Sequence, residues 1–277
     1  MRRGILAVPE GDVGSISTVE NYTRTEKGRS GELTIALRVK EEQTLSGETS
    51  YYYGEGLLER EEEATEYRPE ESQIRSRTEH SKIQEYTTFV AVPESETHRG
   101  FMLVSSSTGT FAFGLVSSQN PACRLQRADL HLGSFYEQHE SFTPETSGGH
   151  AMGDEHGTSK MTAWGEDVLS DTQTAQLLSS SIRHDQLNQL AGNYLYEAED
   201  GTALPYSVNL AASGYVEIWD PSDLPTREFL QWVEKEILPF ANAEPDDDET
   251  EQAELTDDEQ DHAEAAATDG GDDDVAE

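Results

Sequence analysis

Cysteine and long apolar runs are scarce in this sequence. Cys123 is the only cysteine, so the chain can form neither an internal disulfide nor a zinc site built from several cysteines. Purely apolar runs such as residues 89–92 and 101–104 fall far short of the about 20 residues that a membrane-spanning helix needs. The apolar stretch at residues 4–8 is too short for a signal peptide. We therefore expect a cytoplasmic protein that does not associate with membranes.

Positive charge is scarce as well. The chain has 19 Lys and Arg residues against 56 Asp and Glu residues, a formal net charge of −37. Residues 243–277 hold 17 of the acids and no Lys or Arg, which leaves 39 acids, 19 bases and a net charge of −20 for residues 1–242. Such charge repels itself in dilute buffer but is screened in molar salt, where the Debye length is about 3 Å. The composition resembles that of halophiles with a salt-rich cytoplasm and predicts a soluble haloarchaeal protein; an acidic mesophilic protein is the alternative interpretation.

Residues 1–120 predict a mainly β domain or subdomain. Apolar and polar residues alternate from Leu33 to Lys40, which is typical of a half-buried strand. Residues 74–83 are rich in Ser and Thr and lead into residues 86–92, whose Thr, Phe and Val favour a strand.

Two further segments of this section have a distinctive pattern. Residues 100–105 and 110–117 flank a short turn that contains Gly109, and together they predict a β-hairpin. Residues 59–63, Glu-Arg-Glu-Glu-Glu, are too charged for a core and predict a loop or an exposed edge.

Residues 121–242 predict a smaller α+β section. Ser170, with Gln173 three residues later, fits a helix start, and Gly192 fits the corresponding stop. Three strands are expected, at residues 194–197, 206–210 and 214–219. A C-terminal helix is the clearest element, because its apolar residues fall on one helical face: Phe229, Leu230, Val233, Ile237 and Phe240.

The last section, residues 243–277, is acidic and has almost no large apolar residue, so we expect it to be disordered. The fold class expected from these segments is α+β. An N-terminal, mainly antiparallel β section would precede the smaller α+β section and the disordered acidic tail.

A group of histidines and carboxylates suggests a metal site. His150, Asp154 and His156 lie close together in the sequence, and such groups can hold zinc, manganese or iron. Their spacing matches no helical H-E-x-x-H pair, and they lie in residues 143–160, which we expect to be a loop. Histidines of a solvated loop are the alternative interpretation.

A basic group suggests contact with nucleic acid. Arg75, Arg77 and Lys82 give a local positive charge that could meet phosphates, and the three tyrosines of residues 51–53 could stack on bases. The alternative is that the basic residues pair with the abundant carboxylates and that the tyrosines are ordinary strand residues.

No catalytic motif stands out. The chain has neither a Walker-type phosphate loop nor a G-x-S-x-G nucleophile elbow, and residues 54–59 begin like a dinucleotide-binding loop but lack its third glycine. We expect no cofactor. The leading hypothesis is a non-enzymatic binding or assembly protein with a protein partner. The alternative is an enzyme that processes nucleic acid or depends on a metal.

Overall fold

Antiparallel β-structure dominates the protein, as the sequence predicted for its N-terminal section. The computed structural model describes residues 1–10, 15–46, 49–70, 73–95, 99–149, 161–166, 168, 170–172, 174–175, 187–198 and 201–243. Within these ranges it contains thirteen strands, which are all linked by pairing, three complete α-helices and the helical residues 172, 174 and 175. Residues Met1–Ala243 form one compact unit.

The strands are longest in the first half of the chain. In chain order they are β1 (Arg3–Pro9), β2 (Tyr22–Lys27), β3 (Glu32–Ser46), β4 (Thr49–Glu70), β5 (Gln73–Val92), β6 (Phe101–Val104), β7 (Leu125–Leu130), β8 (Thr143–Gly149), β9 (Met161–Trp164), β10 (Leu187–Glu197), β11 (Ala203–Ala211), β12 (Tyr215–Asp220) and β13 (Ala241–Ala243). The helices are α1 (Phe111–Gln119), α2 (Leu132–Gln138) and α3 (Thr226–Trp232). The spatial order of the main path is β2-β3-β4-β5-β6-β1-β12-β11-β10-β8-β9, and β7 joins β1 to β13.

Strand β1 lies at the centre of the sheet. On one side it pairs with β6, and on the other it pairs first with β12 and then with β7. Its residues from Gly4 to Pro9 are all buried, because both faces of the strand are covered. The sequence Gly-Ile-Leu-Ala-Val-Pro is accordingly apolar throughout and does not alternate.

The two faces of β1 belong to two separate cores. Ile5 and Ala7 pack with α1, which contributes Ala112, Phe113 and Val116. Leu6 and Val8 belong to the larger core, to which α2 and α3 contribute their buried side chains: Leu132, Phe135, Phe229, Leu230 and Trp232. The sheet therefore has helices on both faces, α1 on one and α2 with α3 on the other.

The predicted hairpin at residues 100–117 is wrong in its second half. Phe101–Val104 is strand β6, but Ser107–Thr110 is a 3-10 turn and Phe111–Gln119 is helix α1. Ala112, Phe113 and Val116 are its buried residues, and their spacing fits one face of a helix, whereas 112 and 113 would lie on opposite faces of a strand. The packing of Phe113 and Val116 against the sheet selects the helix.

The predicted helix between Ser170 and Gly192 is confirmed at its start and wrong at its end. Residues 172, 174 and 175 are helical, and Asp171 caps this start: its carboxylate accepts the N–H of Thr174 at 2.8 Å and its carbonyl accepts the N–H of Ala175. Residues 176–186 lie outside the described residues, and Leu187–Glu197 is strand β10. Gly192 lies inside this strand, where a Cβ atom would be 2.2 Å from the carbonyl oxygen of Thr143 on β8.

The predicted loop at residues 143–160 is wrong in its first part, because Thr143–Gly149 is strand β8, paired with β10; residues 150–160 lie outside the described residues. Most of the other predicted elements are confirmed. The alternating residues 33–40 lie in β3, residues 74–92 lie in β5, and the three later strands correspond to β10, β11 and β12. The C-terminal helix is present as α3 and continues through the π-helical turn Val233–Ile237 and the 3-10 turn Leu238–Phe240.

Two predicted section boundaries remain, at residues 121 and 243. The predicted disordered tail, residues 243–277, lies outside the described residues except for Ala243, which belongs to β13. A boundary at residue 121 stays a prediction. Among the described residues, no helix is long and apolar enough to cross a membrane.

The burial of the C-terminal helix leads to a first prediction. Trp232 and Ile237 are 0% and 1% exposed, so Trp232→Ala or Ile237→Ala leaves a cavity that costs about 2–5 kcal/mol of the free energy of unfolding. Glu228→Ala, at an exposed position of α3, is the matched control and should change this free energy by less than about 0.5 kcal/mol. Denaturant unfolding in molar KCl measures the difference. Equal stability of all three variants would contradict the packing described above.

Candidate functional site

The proposed metal ligands His150, Asp154 and His156 all lie outside the described residues. Two nearby histidines are described, His131 before α2 and His139 after it. Within the described part of the chain, no group of three or more His, Cys, Asp and Glu side chains is arranged to hold a metal ion.

The proposed nucleic-acid residues Arg75, Arg77 and Lys82 all lie on β5. The backbone of Arg75 pairs with Arg68 and that of Arg77 with Glu66. The Arg77 guanidinium lies 3.5 Å from the carboxylate of Glu79 on the same strand. Arg77 and Lys82 are an odd number of positions apart, so they occupy opposite faces of the strand.

Lys82 and the tyrosines of residues 51–53 already have structural contacts. The Lys82 ammonium lies 2.6 Å from the carboxylate of Glu59 and donates to the carbonyl of Glu32 at 3.0 Å. Tyr51 is buried and donates its hydroxyl to Gln43, and Tyr52 and Tyr53 pack against the two cores.

Glutamates at alternate positions of β4 bind the β2–β3 hairpin at its turn and at the start of β3. Glu59 accepts hydrogen bonds from the backbone N–H of Thr34 at 2.8 Å and from the Gln84 amide at 2.7 Å, in addition to its contact with Lys82. Its neighbour two residues on, Glu61, accepts the backbone N–H and the hydroxyl of Ser30. Glu59, Glu61 and Glu63 share one face of β4. This row of carboxylates therefore holds the β2–β3 hairpin against that face.

The charge state of this row follows from its hydrogen bonds. The Lys82 ammonium and the Gln84 amide lower the pKa of Glu59 to about 2, and bonds from Ser30 lower the pKa of Glu61. Both carboxylates therefore stay ionised at neutral pH. Glu63 lies 3.4 Å from the Arg29 guanidinium and 3.3 Å from the His80 ring.

These observations correct the prediction for residues 59–63. The segment is not a loop but the middle of β4, and Glu59 is buried at 7% exposure. Glu62 is exposed, as predicted for an edge. The repeat of Glu at alternate positions was the available signal, but only the structure shows what the carboxylates bind.

Beyond this row, β4 and β5 continue as a two-stranded ribbon, residues 64–70 and 73–79, which we call the arm. Its cross-strand pairs include Thr65 with Thr78 and Glu66 with Arg77. β3 pairs with β4 only as far as Leu58, and β6 pairs with β5 only from Phe89 onward. Among the described strands, none therefore pairs with either outer edge of the arm.

The arm buries little of its own surface where its side chains are described. Residues 64–67 and 76–79 are all exposed, and Tyr67 retains 69% of its accessible surface. A two-stranded hairpin on its own is only marginally stable in water, because it has no packed face. The arm is therefore the described element that would gain most from an additional strand.

Two open hollows flank the first turn of α3. One, of about 370 Å³, has Tyr196 and Tyr206 in its wall, with the rings stacked at 5.0 Å. Burial, followed by the charge of Glu228, raises the pKa of Tyr206 to about 12, so this phenol stays protonated. The other, of about 400 Å³, shares Arg227 with the first, and the Nε of Arg227 donates to the carbonyl of Leu45 at 2.6 Å. Sequence analysis identified neither hollow.

His139 forms a second contact that sequence analysis missed. Its Nδ1 lies 2.7 Å from the carbonyl oxygen of Phe135, and its Nε2 lies 2.8 Å from the Glu236 carboxylate. Both partners are acceptors, so both ring nitrogens donate and the imidazole is charged. Burial alone lowers the pKa of His139, but the bonds to Glu236 and Phe135 outweigh it and raise the pKa above its ordinary value. The ion pair joins the end of α2 to the π-helical turn after α3.

Comparison with known proteins gives no assignment: no family model, no curated protein and no solved structure matches the chain.

The His139–Glu236 pair leads to a prediction about pH. Because folding raises the pKa of His139, the pair stabilises the fold fully below the unfolded value of about 6.5, and this contribution is lost as pH rises through the folded pKa. The melting temperature should therefore fall over that interval. The fall should be smaller in His139→Gln and in Glu236→Gln. Calorimetry at constant KCl tests this, and an unchanged pH dependence in both variants would contradict it.

Proposed function

We propose that this is a non-enzymatic binding or assembly protein and that the arm is the element that meets its partner. The observation that carries the proposal is the length of the β4–β5 hairpin. Its strands have 22 and 20 residues, whereas strands of about 5–6 residues are most common.

The physical argument concerns the unpaired edges of the arm. An exposed strand edge presents backbone N–H and C=O groups that an added strand can pair with, which is a common mode of protein recognition. Charged residues along such an edge oppose indiscriminate pairing, and the arm carries Glu66, Arg77 and Glu79. The charges of the arm would favour a partner strand with complementary charges and would repel strands that place like charges opposite them.

The row of Glu59, Glu61 and Glu63 supports this role. It binds the β2–β3 hairpin to the base of the arm through Thr34 and Ser30. A recognition element has to be held in a defined direction, because ordering it on binding weakens affinity. The base of the arm is thus anchored, while its outer part is left exposed.

We also propose an α+β classification, a haloarchaeal origin and a cytoplasmic location. The helices on both faces of the sheet support the first. The net charge of −37 supports a salt-rich cytoplasm. Buried carboxylates such as Glu59 explain only a small part of this charge, so most of it favours a hydrated acidic surface.

Removing the arm tests the proposed function. Replacing residues 64–79 with Asn-Gly joins Glu63 to His80, a directly opposed pair, through a two-residue hairpin turn. The variant should melt within a few degrees of the parent in molar KCl, since the arm buries little surface. Affinity capture in molar KCl followed by mass spectrometry should show that a stoichiometric partner of the parent is lost. Glu62→Gln, near the base of the arm, is the control that keeps the arm. Identical partners for parent and arm-deleted protein would overturn the proposal.

The proposed habitat has its own test. As KCl falls from molar to about 0.1 M, the Debye length grows to about 10 Å and the acidic surface repels itself. Unfolding followed by circular dichroism should then lose cooperativity and move to lower temperature. A melting temperature independent of salt would contradict the halophilic assignment.

A further inference from the structure

The outer edge of β5 has a defined direction of hydrogen bonding. At Thr88 both backbone groups point away from β4, because the carbonyl accepts the N–H of Ser105 at 2.9 Å and the N–H donates to the Ser105 hydroxyl at 3.1 Å. Pairing between β4 and β5 runs without a register shift from Ala91 to Gln73. Backbone direction alternates along a strand, so Thr78, ten residues before Thr88, also directs its N–H and C=O outward.

We propose that a second copy of this chain pairs with the outer edge of β5, antiparallel, across a two-fold axis at Thr78. This rests on the assembly function proposed above and names the partner of the arm. Each Thr78 would donate its N–H to the carbonyl of the other Thr78. The two arms would then form one four-stranded sheet, which is independently stable where an isolated hairpin is marginal.

Charge complementarity around Thr78 favours a second copy over an unrelated strand. With the axis at Thr78, Arg77 lies opposite Glu79 of the second copy, and Glu79 lies opposite Arg77 of the second copy. These are non-hydrogen-bonded positions, where opposed Cα atoms approach to about 4.5 Å and side chains interact most closely. Within one chain Arg77 and Glu79 are already 3.5 Å apart, so all four charges would form one alternating cluster.

The same charges define the register. Moving the axis by one residue sets Arg77 opposite its own copy in one direction and Glu79 opposite its own copy in the other. Directly opposed like charges destabilise a strand pair. On the other face, Thr65 pairs with Thr78, so the central row would be four threonines, a favourable cross-strand combination.

The two-fold arrangement also limits the assembly. A two-fold contact uses the same surface on both copies, so it closes at a dimer and does not propagate into a filament. Each copy carries a net charge of −37, which opposes association at low ionic strength. In molar salt this long-range repulsion is screened, while backbone hydrogen bonds act at contact. The dimer is therefore expected in molar KCl.

Sedimentation velocity of the full chain in molar KCl is the first test. The mass should rise with protein concentration from 30.7 kDa to twice that value. Arg77→Glu and Glu79→Arg should each lower the association constant by about tenfold, since each replaces attraction with repulsion at both symmetric pairs. The double variant exchanges the charges and should restore association. A monomer at every concentration, or single variants that associate like the parent, would overturn the proposal.

Disulfide trapping is the second test and identifies the edge. Opposed Cα atoms at the axis would be about 5.5 Å apart, within the about 4.4–6.8 Å that a disulfide needs. Mild oxidation of Thr78→Cys should therefore give a covalent dimer, while the native Cys123 is buried. Thr65→Cys is the matched control, because Thr65 is exposed on the same face but would be about 14 Å from its copy, three strand spacings away. Cross-linking through Thr65→Cys in place of Thr78→Cys would overturn the proposal.

The outcomes separate this inference from the proposed function. A parent that stays monomeric, but loses a different captured protein when residues 64–79 are removed, refutes the second copy and keeps the assembly function. A monomeric parent whose captured proteins do not depend on the arm refutes both.

Discussion

The pairing of β1 with three other strands is the constraint on which the rest of the fold depends. Its start pairs with β12, its middle with β6 and its end with β7, so three strands that are far from it in sequence meet on seven residues. Both faces of β1 are covered, and its alternate side chains belong to two different cores. Any polar residue placed there would need a hydrogen-bond partner in an apolar environment. The helices dock on both faces of the sheet because this strand presents apolar side chains to each face.

Away from β1, carboxylates as well as apolar packing hold structural elements together. Glu59 and Glu61 bind backbone N–H groups of the β2–β3 hairpin, and Glu236 binds the ring of His139. Each acid contacts a segment distant in sequence and holds it in place. Hydrogen bonds to a charged acceptor are stronger than neutral ones, and the lowered pKa of Glu59 reflects this. In a chain so rich in acids, ionised side chains therefore connect structural elements as well as hydrate the surface.

The arm, in contrast, extends beyond the row of Glu59, Glu61 and Glu63. β3 pairs with β4 only as far as Leu58, and beyond the glutamate row β4 and β5 continue with no described strand paired to their outer edges. The proposed pairing at Thr78 would use those edges without burying a large apolar area, which suits a protein that repels other copies strongly in dilute salt. Binding through backbone groups and a few matched charges depends on geometry. The anchored base of the arm supplies that geometry.

The sequence by itself determined the elements whose periodicity has one interpretation. Residues 33–40 alternate as a strand does, and the apolar face of the C-terminal helix is buried against the sheet as expected. Only the tertiary structure decided that residues 111–119 are a helix and that residues 187–191 begin a strand, because short apolar runs fit both periods and packing against β-sheet neighbours selects one. The same holds for the candidate sites. Counting acids and bases does not show which carboxylate meets which N–H group, since Glu59 and Thr34, or His139 and Glu236, are brought together only by long-range strand pairing and helix docking.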